Sequence, residues 1–261
     1  MKKLVLAASL SLMLSGCTDN ASKVKEDDVL VSLDRFDNIS SLDRFYADVQ
    51  DGKKGNIRVV RYTLEGDPIF HNINFDGKRI ELTIDSREDR YGGGAVEKFS
   101  CKKAFHTESY TRMEYSLAGC DSGQTELELV TINYDIKAQD RFDFHFKYGK
   151  KLENEIDTNQ ESITAYIPRN DVKRTVSDFH LSEAELTVIY KNMVLANYLD
   201  RKGLTASCRP ARKNYNLTVW INDAKLDYQW ADCDRSKDGR AMTALAKKMI
   251  TIIKNSYDYP R

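Results

Sequence analysis

Apolar residues recur at intervals of three and four in three stretches of the chain, and this spacing predicts three amphipathic helices. The predicted helices are Ser40–Gly52, Ser182–Leu199 and Asp238–Asn255. The first opens at Ser40–Asp43, which has the pattern of a capping box. The second has the clearest start, because Ser182 and Glu185 have capping-box spacing and the flanking Leu181 and Leu186 suit a hydrophobic staple.

Alternating apolar and polar residues predict strands elsewhere, at Ile57–Ile84, Thr111–Leu117, Glu126–Tyr134 and Arg141–Tyr148. Asp76-Gly77 is a two-residue hairpin signal, and it would place these pairs opposite each other: Ile73 and Ile80, His71 and Leu82, Ile69 and Ile84. Asn222-Asp223 gives a second hairpin, with Val219 opposite Leu226, Leu217 opposite Tyr228 and Tyr215 opposite Trp230. Each register collects the apolar residues on one face, which favours it.

These elements predict an α+β fold with two small antiparallel-sheet domains, each with one or two packed helices and one disulfide. The polar segment Gly149–Gln160 is interpreted as the boundary between them. The predicted division is a leader at 1–16, a tether at 17–29, an N-terminal domain at 30–149 and a C-terminal module at 150–261.

The first seventeen residues have the order of an export signal. Lys2 and Lys3 precede an apolar run of eleven residues, Leu4–Leu14, which is too short to span a bilayer but suits a signal peptide. The run ends in Leu14-Ser15-Gly16-Cys17, which resembles the lipobox of bacterial lipoproteins. In that class the leader is cut before the cysteine, whose thiol carries diacylglycerol. The resemblance implies that Cys17 anchors the chain to the extracytoplasmic face of the cell membrane; the alternative is an ordinary signal peptide with an unrelated cysteine.

The four remaining cysteines are Cys101, Cys120, Cys208 and Cys233. An even number in an exported chain indicates disulfides, and four cysteines allow three pairings. We favour the two local pairings, 101 with 120 and 208 with 233, because each stays inside one predicted domain. A four-thiolate metal site is the alternative, but its cysteines usually lie two to four residues apart and the spacings here are 19, 88 and 25.

Composition narrows the function classes. The chain has 40 basic and 40 acidic residues and is 41% apolar, which is too apolar for a disordered chain and too charged for a protein with many membrane spans. The absence of a basic excess argues against a nucleic-acid partner. We expect no cofactor and no metal.

No cluster of catalytic residues stands out. The four histidines, His71, His106, His145 and His180, lack metal-ligand spacing, and His71 falls on the apolar face of its hairpin. Three further motifs are incomplete: Gly92–Gly94 lacks the rest of a phosphate loop, Ser100–Lys103 lacks the companions of an acyl-enzyme motif, and Asp232–Asp238 lacks the glycine and glutamate of a calcium loop. Ser236 or Asp238 as a helix cap explains the last motif more simply.

Two runs resemble a known family. They are Arg58–Ile69 with Asp76-Gly77-Lys78, and Tyr115–Cys120. These residues resemble an uncharacterised lipoprotein family of bacillus-type Gram-positive bacteria, a domain of unknown function, over about residues 30–148. The second half resembles a C-terminal module of similar lipoproteins, through Leu181-Ser182-Glu183 and the hairpin that starts at Tyr215. The resemblance implies a membrane-attached, extracytoplasmic protein and assigns no activity.

Three functions remain open from the sequence. We expect a non-enzymatic binding module of the cell envelope, whose partner is a protein, a peptide or a wall component. The alternatives are an envelope hydrolase with dispersed Asp, Glu or His residues, and an inhibitor or chaperone-like factor that binds a strand at an open sheet edge.

Overall fold

The computed structural model describes residues 24–260. They form three sheets and three α-helices, which confirms the α+β class. The first sheet has the order β2-β1-β3-β4-β5-β6 and consists of β1 (Val29–Val31), β2 (Phe36–Asp37), β3 (Gly55–Tyr62), β4 (Pro68–Phe75), β5 (Ile80–Asp85) and β6 (Val96–Cys101). Its pairings are antiparallel except that of β1 with β3, which is parallel.

The other two sheets follow along the chain and are antiparallel throughout. The second has three strands in chain order, β7 (Lys103–Glu108), β8 (Arg112–Ala118) and β9 (Glu126–Asn133). The third has the order β13-β12-β11-β10-β14-β15, with β10 (Phe142–Gly149), β11 (Asn154–Asp157), β12 (Ser162–Ile167), β13 (Val172–Ser177), β14 (Asn214–Ile221) and β15 (Ala224–Ala231). The polar segment Gly149–Gln160 therefore contains β11, and β10 lies in one sheet with strands of the C-terminal half.

The three predicted helices are present, with an error at the start of the first and at the end of the second, which stops at Leu195 rather than Leu199. α1 spans Ile39–Gln50, α2 Glu183–Leu195 and α3 Lys237–Asn255. The capping box predicted at Ser40–Asp43 is wrong, because the cap is Asn38 in the left-handed conformation with no side-chain bond to the helix. The Asn38 amide instead donates to the carbonyl oxygens of Glu26 and Asp28, which ties the helix start to the entering chain.

The other two helix starts agree with the sequence. At α2 the Ser182 hydroxyl accepts from the Glu185 N–H group and the Glu185 side chain bonds back, so the predicted capping box is confirmed. At α3 the Ser236 hydroxyl accepts from the Gly239 N–H group. This is the capping role that the incomplete calcium motif suggested.

The two predicted hairpins have different outcomes. Asn222-Asp223 joins β14 to β15 in the predicted register, with Leu217 opposite Tyr228. At Asp76-Gly77 the predicted register is wrong by two residues, since Ile73 lies opposite Leu82 rather than Ile80. The Asp76 carboxylate accepts the N–H groups of Lys78 and Arg79, which closes a loop of four residues instead of two. A shift of two keeps each side chain on its face.

Both favoured disulfides are present, Cys101–Cys120 and Cys208–Cys233. The first joins the end of β6 to the turn after β8, and therefore links the first sheet to the second. Since all four cysteines are used in bridges, the four-thiolate metal alternative is wrong.

A buried polar contact at Asn197 connects the two halves of the chain. Asn197, just after α2, accepts from the Phe36 N–H group at 2.7 Å and donates to the Phe36 carbonyl at 3.2 Å. Its amide also donates to the Asp37 carboxylate at 3.1 Å. Asn197 is only 6% exposed, so these bonds hold β2 against the end of α2 inside the protein.

Candidate binding cleft

A cleft of about 970 Å³ lies between the second sheet and the three helices. Its floor is the face of the second sheet formed by β7 and β8. One wall is the first half of α1, and the opposite wall is made by α2 and α3. The lining residues that matter below are Asp43, His106, Glu108, Val188, Lys191, Asn192, Lys247, Lys248 and Thr251.

The floor carries a stacked pair on neighbouring strands. His106 on β7 lies opposite Tyr115 on β8, and their rings are parallel with centroids 4.3 Å apart. The Tyr115 hydroxyl donates to the Asp43 carboxylate of α1. Burial, reinforced by that bond, raises the pKa of Tyr115 above its ordinary value. The phenol therefore stays protonated and holds the carboxylate at the cleft rim.

The α2 and α3 wall carries three lysines that differ in their partners. Lys191 forms an ion pair with Glu108 at 2.6 Å, and its ammonium lies 5.4 Å from the centroid of the Tyr134 ring. Lys248 donates to the neutral Asn192 amide oxygen at 2.7 Å. Among residues 24–260, neither Lys247 nor Lys248 forms an ion pair with a carboxylate.

The cleft therefore combines apolar surface with an uncompensated positive charge on one wall. Ile39, Met113, Leu195 and Ile252 supply apolar area between the charged residues. Glu108 is paired with Lys191 and Asp43 accepts from the neutral Tyr115 hydroxyl, whereas Lys247 and Lys248 have no carboxylate partner among the described residues and could pair with an acidic ligand group. An acidic segment with apolar side chains fits this surface best.

Among the described residues, the two aliphatic hydroxyl groups that line the cleft, those of Ser40 and Thr251, have no bond to a histidine or carboxylate side chain. Nucleophilic catalysis needs a nucleophile within hydrogen-bond reach of a base. The Thr251 hydroxyl instead donates to the Lys247 carbonyl. In the same part of the chain, no group of three or more His, Cys, Asp or Glu side chains is placed to hold a metal ion.

Three of the four histidines lie outside the cleft. His71 is buried in the first sheet, where burial and the nearby Arg61 lower its pKa to about 4, and its Nδ1 atom has no hydrogen-bond partner. His145 bonds to Glu155 at 2.7 Å on the third sheet. His180 lies 3.7 Å from Glu161.

The motifs set aside in the sequence have local structural roles. Gly92 lies in a loop where its N–H group donates to the Asp89 carboxylate. Ser100 belongs to β6 and donates its N–H group to Asp121. Asp234 accepts from the Thr205 and Ser236 N–H groups. These bonds stabilise a loop, join β6 to the segment after β8, and hold the chain before α3.

The proposed anchor Cys17 and the leader lie outside the described residues, so Cys17 stays a prediction. Among residues 24–260, no helix has the length and apolar character needed to cross a bilayer.

The fold and its two bridges place the chain among disulfide-bonded α+β proteins, a class typical of compartments outside the cytoplasm. Residues 26–116 match a family model described as a domain of unknown function, DUF4362. No curated protein and no solved structure matches the chain. The matched region supplies Asp43, His106 and Glu108, whereas the lysine wall lies beyond it.

Proposed function

We propose that this chain is a lipoprotein, anchored through Cys17 outside the cytoplasm, whose cleft binds an acidic peptide segment of another envelope protein. The observation that carries the proposal is the cleft itself, with apolar surface beside Lys247 and Lys248, with Glu108 paired to Lys191 and with Asp43 bonded to Tyr115. The anchor is supported by the order of the basic start, the apolar run and the lipobox pattern. The lipoprotein family and the C-terminal module belong to the same proposal.

The binding site is tested with a photo-crosslinking side chain placed at Val188. This residue lines the cleft and is 45% exposed. The matched control is Val172, which is 50% exposed on the edge strand β13. In intact cells we expect a discrete crosslinked protein from position 188 and not from position 172. Identical products from both positions, or none from 188, would contradict the cleft proposal.

The anchor is tested separately by mass spectrometry of the N-terminal peptide of membrane-purified protein. We expect a diacylglyceryl group on Cys17 as the first residue, and release from the membrane in Cys17→Ala. An unmodified thiol at residue 17 in the membrane fraction would contradict the proposed anchor and would not affect the cleft proposal.

An envelope hydrolase is the second candidate, because Asp43, Glu108 and His106 converge on one cleft. If the cleft is catalytic, Glu108→Gln should abolish hydrolysis of an envelope substrate without weakening crosslinking at 188. The strand-binding alternative rests on β7 and β13, which are edge strands with mostly exposed side chains. A product from position 172 alone would favour it.

A further inference from the structure

Four large apolar side chains are far more exposed than any others in residues 24–260. They are Leu33 at 85%, Leu64 at 86%, Tyr91 at 76% and Tyr257 at 96%, while the remaining exposed large hydrophobic residues reach at most 50%. A single exposed apolar residue is ordinary. Three of these four, however, lie on neighbouring loops.

The pairing of the first sheet brings the three loops together. β1 runs parallel to β3 with Val31 opposite Arg61, so the loop 32–35 leaves the sheet beside the loop 63–67. β4 pairs with β5 so that Phe70 lies opposite Asp85, which starts the loop 86–95 at the same end. Leu33, Leu64 and Tyr91 therefore project from one end of the sheet, and we call them the apolar tip.

Hydrogen bonds hold these loops in place. The buried Asp67 pairs with the Arg90 guanidinium at 2.7 Å and accepts the Arg90 N–H group at 3.1 Å, which ties the second loop to the third. The Asp89 carboxylate accepts the Tyr91 N–H group at 3.0 Å. Ser32 and Arg35 close the first loop through a backbone bond of 2.9 Å. The tip is thus presented by fixed turns, which lowers the entropy lost when it docks.

We propose that the apolar tip rests on the surface of the bilayer to which the chain is anchored. Cys17 is seven residue steps from Val24, the first residue described, and this stretch can span at most about 25 Å. The entering turn closes with the Asp28 N–H group on the Lys25 carbonyl, and Asp28 is bonded to Arg58. From Arg58 to the end of β3 at Tyr62 the strand extends by about 13 Å. The anchor and the tip can therefore reach the same membrane.

The charges of the loops indicate that the contact is apolar and not electrostatic. The loops 32–35, 63–67 and 86–95 carry more acids than bases: Asp34, Glu65, Asp67, Glu88 and Asp89 against Arg35, Arg87 and Arg90. The three arginines pair with carboxylates of this protein. Anionic lipids would therefore not attract the tip, and side-chain burial in the interface must supply the contact. The alternative is that the tip inserts into a recess on a partner protein, and the experiment below distinguishes this from contact with the membrane.

This inference rests on the anchor in the proposed function, and the test keeps the two apart. The chain from Cys17 to Arg261 is coupled through the Cys17 thiol to a maleimide lipid in phosphatidylcholine vesicles, because the other four cysteines are in bridges. This replaces natural lipidation. If cells do not lipidate Cys17, the anchor proposal fails while the coupled protein still tests the tip.

The readout is quenching of tryptophan fluorescence by brominated lipid. Tyr91→Trp is compared with Tyr257→Trp, which is even more exposed (96% against 76%) but follows α3. Trp220 and Trp230 contribute to the fluorescence of both variants. We expect at least twofold stronger quenching in Tyr91→Trp, reduced when Leu64→Ser is added. Equal quenching in both variants would overturn the proposal and favour a protein partner for the tip. Quenching that requires anionic lipid would also overturn it, because the contact would then be electrostatic.

Discussion

Replacing Asn197 by alanine removes a buried polar contact between the two halves of the chain. The Asn197 side chain provides both an acceptor for the Phe36 N–H group and a donor to the Phe36 carbonyl. It thereby substitutes for a neighbouring strand at the edge of the first sheet. Phe36 also lines the cleft, so the substitution should loosen the α1 side of the binding site against α2.

The expected loss of stability follows from the groups left without partners. A buried polar group without its hydrogen bond costs about 1–3 kcal/mol, and two backbone groups of Phe36 are affected. Asn197 has a φ of 52°, where alanine costs about 1 kcal/mol more than asparagine or glycine. Allowing for partial hydration, Asn197→Ala should lower the free energy of unfolding by about 3–5 kcal/mol.

Urea denaturation of Asn197→Ala and Asn197→Gly separates the two contributions. Glycine removes the same hydrogen bonds without the backbone strain, so it should be about 1 kcal/mol more stable than alanine. Both must unfold with the slope of the parent chain for the comparison to hold. A loss below about 1 kcal/mol in Asn197→Ala would refute the reasoning, because it would show that water replaces the contact.

Two further predictions concern stability. Replacing Cys101 and Cys120 together by alanine opens a loop with a sequence separation of 19 and should lower the free energy of unfolding by about 3 kcal/mol in urea titrations; a change below 1 kcal/mol would contradict this. For His71, burial lowers the folded pKa to about 4, whereas the unfolded chain titrates near 6.5, so the unfolded state binds the extra proton between these values. Stability should therefore fall as the pH drops from 6.5 to 4, with this residue contributing a slope of up to about 1.4 kcal/mol per pH unit. The slope should become smaller in His71→Phe, and an unchanged slope would refute the assignment.

The sequence predicted features that are set by neighbouring residues. The Asn222-Asp223 register is confirmed because Asn222 adopts a φ of 50°, as a two-residue hairpin turn requires. At Asp76 the register predicted in the same way is wrong by two residues, since the Asp76 carboxylate accepts two N–H groups of its own loop. In both hairpins each side chain lies on the predicted face of the sheet, because side chains alternate along a strand and a shift of two residues keeps the same face.

The cleft could not be predicted in this way. His106 lies on a short edge strand that shows little alternation, and its partners in the cleft come from α1, α2 and α3. Lys247 and Lys248 are polar positions on an amphipathic helix, where a solvated surface is the ordinary expectation. What distinguishes them is the missing carboxylate partner, which depends on how distant segments pack.

Charge reversal at the lysine wall tests the central claim most directly. Lys247→Glu/Lys248→Glu is combined with the crosslinking residue at position 188, and Lys150→Glu/Lys151→Glu is the matched control, since these adjacent exposed lysines lie in the turn after β10. If the cleft holds an acidic peptide, the crosslinked product should fall at least tenfold in the first variant and remain in the control. An unchanged yield in Lys247→Glu/Lys248→Glu would contradict the account, because an acidic ligand could not lie against that wall.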